Sequence, residues 1–206
     1  MKQQLLRLIA AHVCLHACMA GTRMAAPLLA LREGHSPASV GVLLALFALA
    51  QVFLALPAGR FADRHGLRRP VGWAVLVAMT GAGAAALWPV FGVLCFAALL
   101  TGGATGAASI AVQRQAGALA SNPTELKQVF SWLAIGPALS NFAGPFAAGL
   151  LIDHAGFRVA FGVLALLPLV SWWWVRGQAG PVRVAPIAGA TDVPTRAWDL
   201  MNEAPF

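Results

Sequence analysis

Two imidazoles one helical turn apart, His12 and His16, and the guanidinium of Arg23 sit inside the first long apolar stretch of this 206-residue chain. Imidazoles titrate near neutral pH and can pass protons or hold a divalent metal. A guanidinium surrounded by apolar residues is a natural partner for a carboxylate or an anionic solute. On a helix advancing ~100° per residue, His12, His16, Met19 and Arg23 fall within about 60° of one another, whereas Cys14 and Cys18 lie on the opposite side. That arrangement excludes a single His/Cys metal site, and two histidines with no carboxylate nearby make a poor one. Further along, Thr101, Thr105, Ser109 and Gln113 recur at every fourth position. Hydroxyls so spaced offer contacts to a solute, although they also bond cheaply to their own helix. Gln51 and Asn141 add interior amides. No His-Glu-x-x-His, Ser-His-Asp or carboxylate dyad lies in the apolar stretches, and the glycines of 101–106 lack nucleotide-loop spacing. The expectation is a chain without catalytic residues, cofactor or metal. Its polar residues His12, His16, Arg23, Gln51, Thr105, Ser109 and Asn141 then line a path for a substrate.

The elements that must position these groups follow from hydropathy. Apolar residues make up 59% of the chain against 10% charged, tyrosine is absent, and there are 21 glycines and 7 tryptophans. With a mean hydropathy of +0.75, this composition excludes a water-facing globule, a disulfide scaffold and a disordered chain. Apolar runs at 8–31, 40–58, 71–88, 90–112, 129–152 and 159–175 each approach the ~17 to 25 residues that cross a bilayer. The fold class expected is therefore an all-α membrane protein with six transmembrane helices. Lys2, Arg7, Arg60, Arg64, Arg68, Arg69, Arg114, Lys127, Arg176, Arg183 and Arg196 fall on one side of the implied topology, against Arg32 and Arg158 on the other. That asymmetry places both termini in the cytoplasm and accounts for the net charge of +7 without nucleic acid.

An internal repeat narrows the reading. Ala58-Gly59-x-x-x-Asp63-x-x-Gly66-x-Arg68 recurs as Ala148-Gly149-x-x-x-Asp153-x-x-Gly156-x-Arg158, every identity at one offset of 90 residues. The first copy leaves helix two on the cytoplasmic side and the second leaves helix five on the opposite side. Two inverted three-helix repeats, about 1–88 and 89–176, are thereby implied, followed by a polar tail at 177–206. Inverted repeats are a signature of secondary transporters, in which two related units rock about a midplane site.

The stretch Gly59-Arg60-Phe61-Ala62-Asp63-Arg64-His65-Gly66-Leu67-Arg68-Arg69 resembles the signature loop between helices two and three of the major facilitator superfamily. Ser140-Asn141-Phe142-Ala143-Gly144-Pro145 is similar to that family's Gly-Pro motif in helix five, and Gly156-Phe157-Arg158 resembles its Gly-Trp-Arg at the start of helix six. The resemblance covers about 1–176. It implies a secondary transporter in the cell inner membrane that moves a small solute by alternating access, with helices one and four lining the path. It also implies a conformational latch at Gly59, Asp63, Gly66 and Arg68. Family transporters have twelve helices in two halves, and the tail resembles the linker between them. A second six-helix half or a second copy is the partner so implied, beside the lipid bilayer and the solute. The alternative is a half-bundle that assembles with a partner and transports nothing.

Overall fold

The computed structural model describes residues 2–177; the linker-like tail from 178 onward lies outside the described residues. Five helical elements follow in order: α1 (Lys2–Arg32), α2 (Pro37–His65), α3 (Arg68–Leu87), α4 (Phe91–Gly117) and α5 (Pro123–Arg176). All five are long and apolar enough to cross a membrane.

Local chemistry sets their ends. The Ser36 hydroxyl accepts from the Ser39 amide at 3.2 Å, and Pro37 opens α2 with its φ already helical. The Asn122 side chain caps α5 by accepting from the Glu125 amide at 2.9 Å, while the Glu125 carboxylate reaches back to the Ser121 amide at 2.9 Å. This reciprocal pair is a displaced form of the capping box. At the other end of α2, Gly66 takes φ 67° and ψ −151° and donates to the Ala62 carbonyl. Only glycine occupies that region without strain, so α2 stops there and α3 begins two residues later.

The sequence leads one to expect helices over 129–152 and 159–175, and in the structure two helical stretches meet at a kink without an intervening loop, described together as α5. At ~1.5 Å per residue its 54 residues would extend ~80 Å, far beyond one bilayer crossing. The run is broken at Gly156, whose φ of 85° and ψ of 170° are non-helical. Two helical stretches therefore meet directly at Gly156. Gly66 and Gly156, equivalent in the repeat, thus share a positive-φ conformation. Alanine at Gly156 is expected to cost about 1 to 3 kcal/mol, because that backbone region is nearly closed to residues with a Cβ. A melting curve of the purified protein checks it.

Packing is pairwise and close. α1 lies chiefly on α5 and α2 chiefly on α4, while α3 touches α4 and α5; α2 and α5 do not meet. Small residues make the seats. A Cβ on Gly144 of α5 would stand 2.7 Å from the Ala17 carbonyl and 3.0 Å from the Gly21 amide of α1. A Cβ on Gly102 of α4 would collide with the backbone of Phe47 in α2. Backbones this near gain the dispersion contacts that hold helices together in lipid. Two buried clusters result, one around Leu8, Leu15, Val71, Val112 and Leu133, the other around Leu29, Leu43, Phe47, Leu94 and Phe161. Val52, Phe53 and Leu56 of α2 are 71%, 72% and 76% exposed, as a lipid-facing surface requires. Prolines sit inside three helices: Pro27 in α1, Pro57 in α2, and Pro137, Pro145 and Pro168 in α5.

Candidate functional site

The buried polar groups meet where α1 crosses α4 and α5. His12 is 3% exposed, and its Nε2 lies 2.9 Å from the Ser109 hydroxyl. Ser109 sends its one proton to the Thr105 carbonyl at 2.8 Å, so it accepts from His12 and fixes the proton of that imidazole on Nε2. His12 and His16 stand edge to face with centroids 5.6 Å apart. The Nδ1 atoms of both, and the Thr105 hydroxyl, are buried without a protein partner. The one proton of the Ser140 hydroxyl is shared between the Gly136 carbonyl of its own helix at 2.7 Å and the Val13 carbonyl of α1 at 3.1 Å, which joins α5 to α1.

Higher on α1 the character changes. Arg23 is exposed, and its guanidinium donates to the Asn141 amide oxygen of α5 at 3.3 Å. A pair 118 residues apart in the chain thereby leaves the remaining N–H groups of the guanidinium beside an amide, a match for a carboxylate or other oxyanion.

The helical wheel therefore splits: His12 and Met19 are buried against neighbouring helices while Arg23 remains open. The fourfold stripe divides as well. Thr101 is buried and back-bonds to the Ala97 carbonyl at 2.7 Å, Thr105 is buried, Ser109 is half-buried and Gln113 is exposed. The threonines pack between helices and do not front an open path. Gln51 is half-buried, with its stem over Gly106 of α4. Among the described residues no group of three or more His, Cys, Asp or Glu side chains is placed to hold a metal.

At the basic end, Asp63 pairs with Arg114 of α4, Nε to Oδ1 at 2.7 Å, while an Arg114 NH1 donates to the Ala62 carbonyl at 2.9 Å. One guanidinium so caps the last turn of α2 and neutralises its acid, a favourable placement at a helix C-terminus. Arg68, named with Asp63 in the expected latch, is exposed at the start of α3 and makes no salt bridge among the described residues; Gly59 has nothing within 4 Å of a would-be Cβ. Arg114 and Ser140 are the site residues that sequence reasoning missed. The Asp63 side chain is 63% exposed, so the pair contributes only about 0.2 to 1 kcal/mol. Asp63→Asn is accordingly expected to insert and melt within about 1 kcal/mol of the parent. Failure of that variant to reach the membrane fraction would contradict this.

Five helices long and apolar enough to cross a membrane, with charge, apart from Arg23, gathered near their ends and the Gly156 kink, define an integral membrane protein. A family model described as the Major Facilitator Superfamily matches residues 8–204, and the chain belongs to that superfamily. It is 35% identical over 151 residues to the tetracycline resistance protein, class B, of Escherichia coli. The match covers 66% of this chain and 34% of that protein, so the chain spans about a third of the relative's length.

Proposed function

We propose that this chain forms one six-helix half of a secondary transporter, two inverted three-helix repeats that move a small solute by alternating access. The observation that carries the reading is the exposed Arg23–Asn141 pair, a cation and an amide held open on a bundle whose other large exposed side chains are mostly apolar. An arginine within a span costs at least ~2.5 to 3.5 kcal/mol near the membrane centre on insertion scales, so a charge kept there needs a polar surrounding. The packing supports the repeat: exchanging the two units turns the pairing of α1 with the first part of α5, seated at Gly144, into α4 with α2, seated at Gly102, and both seats bring backbone against backbone. The matching backbone of Gly66 and Gly156 points the same way.

In this reading His16, Arg23 and Asn141 front the path, His12, Thr105 and Ser109 hold its wall, and Gln51 flanks it from α2. Asp63, Gly66 and Arg68 with Gly59 form the conformational latch, with Arg114 holding Asp63. Residues 1–176 make the bundle and 177–206 a linker. Both termini are cytoplasmic, the membrane is the inner one, and a second six-helix half or a second copy supplies the facing wall. Tetracycline-like solutes enter as candidates through the relative's name, and the anion-binding character of Arg23 favours a solute that carries a negative group.

Proteoliposomes decide it. Labelled solute is expected to accumulate when the chain is reconstituted with its second half or as a cross-linked pair, and to leak no faster than in protein-free vesicles when the chain is monomeric. Assembled protein giving only protein-free flux, with and without a proton gradient, would overturn the proposal.

A further inference from the structure

A notch opens on the exposed apolar surface between α2 and α3. The two helices share the Gly66 turn and diverge from it, and α4 closes the gap from behind. Its cavity volume is about 140 Å³ and its lining is entirely apolar. Buried Ala58, Ala74 and Ala104 form the floor, and exposed Leu54 and Trp73 form the rims. Along α2 it runs two helical turns, from Phe61 to Leu54, roughly 10 Å of rise.

The shape and the surrounding charge say what fits. A helix is ~10 to 12 Å across with its side chains and cannot enter, whereas a single polymethylene chain can. The end of the notch nearest the turn is flanked by cations. Arg69 stands one turn before Trp73 on α3 and Arg64 one turn beyond Phe61 on α2, both exposed. The acid of that loop, Asp63, is already taken by Arg114. Basic groups beside a gap between transmembrane helices suit a lipid phosphate, and the apolar floor suits the chain attached to it.

We propose that the notch holds one acyl chain of an anionic phospholipid whose phosphate is bound by Arg64 and Arg69. The site is separate from the polar path on α1 and needs neither a second half nor a transported solute. Bound there, the lipid fills the gap between α2 and α3 beside the Gly66 turn and ties that turn to the membrane surface.

The full chain, purified in detergent and stripped of lipid, is to be offered phosphatidylglycerol or phosphatidylcholine with identical acyl chains, and retained lipid counted by native mass spectrometry. At least tenfold greater retention of phosphatidylglycerol is expected. Ala107→Phe, which fills the notch from α4, should lower it about tenfold; the double variant Arg64→Ala/Arg69→Ala, on the surface and outside the packing, should reduce it to the phosphatidylcholine level. Equal retention of the two lipids by the parent chain would overturn the proposal, as would undiminished phosphatidylglycerol retention in the double variant. Should Ala107→Phe fail to fold, the double variant alone decides.

Discussion

Leucine in place of Gly144 is expected to unseat α1 from α5 and lower the melting temperature of the bundle sharply. Even the first carbon of the new side chain would stand 2.7 Å from the Ala17 carbonyl, 3.0 Å from the Gly21 amide and 3.1 Å from the Ala20 Cβ. Two of these three obstacles are backbone, which cannot rotate aside. Overpacking in a dense core costs ~1 to 3 kcal/mol where side chains can yield; with backbone opposing it the loss should lie at or above the upper figure. For a protein of this size ~3 kcal/mol corresponds to a fall of roughly 6 to 12 °C in melting temperature. Gly59→Ala is the matching control. Nothing lies within 4 Å of its added carbon, so it should melt at or slightly above the parent value, because alanine is the better helix former by about 0.5 to 1 kcal/mol. Two glycines equally prominent in the sequence thus separate into one required by packing and one that packing within this chain leaves free. A Gly144→Leu protein that melts with the parent would refute the close seat.

Arg23→Ala should weaken solute binding by about 10- to 100-fold while leaving the protein as stable as before or more so. A hydrogen bond to a charged group contributes about 1.5 to 3 kcal/mol, which sets the lower and upper figures through ~1.4 kcal/mol per decade. Removing the charge also relieves the cost of holding it within a span, so melting temperature and affinity should move apart. Arg23→Lys should fall between the two, since an ammonium keeps the charge and loses the planar fork. The competing account has Arg23 snorkel to the headgroups beside Leu31. Cysteine labelling at position 23 separates them: reactivity that changes with solute or partner marks a path, whereas indifference to both, as at Arg32, marks an interfacial side chain.

The apolar spans and the side on which charge gathers were legible because lipid imposes length and polarity on every segment that crosses it. The wheel on α1 was less informative. Its 31 residues meet α4 and α5 at one level and different surroundings at another, so residues on one geometric face have opposite environments: Met19 is 2% exposed and Arg23 is open. Arg114 was counted among the loop cations and passed over as the mate of Asp63. The parallel run of α2 and α4 brings the C-terminal ends of both to the basic end, but no local spacing selects one arginine from the several there. Ser140 stood within a recognised motif, and its bond to the Val13 carbonyl depends on the register between α1 and α5, which follows from the Gly144 seat.

The prolines of α1 and α5 have a consequence for water. A proline has no N–H to give the carbonyl four residues earlier. Counting back from Pro27 arrives at Arg23, and counting back from Pro145 arrives at Asn141, the two residues that bond one another. Two peptide oxygens therefore lose their helical donors at the level of that pair. In hydrocarbon each unsatisfied group would cost several kcal/mol. On the path proposed above, hydration would remove that cost and make this level of the bundle a wet seam, where a solute could exchange its own water shell for fixed donors and acceptors in stages.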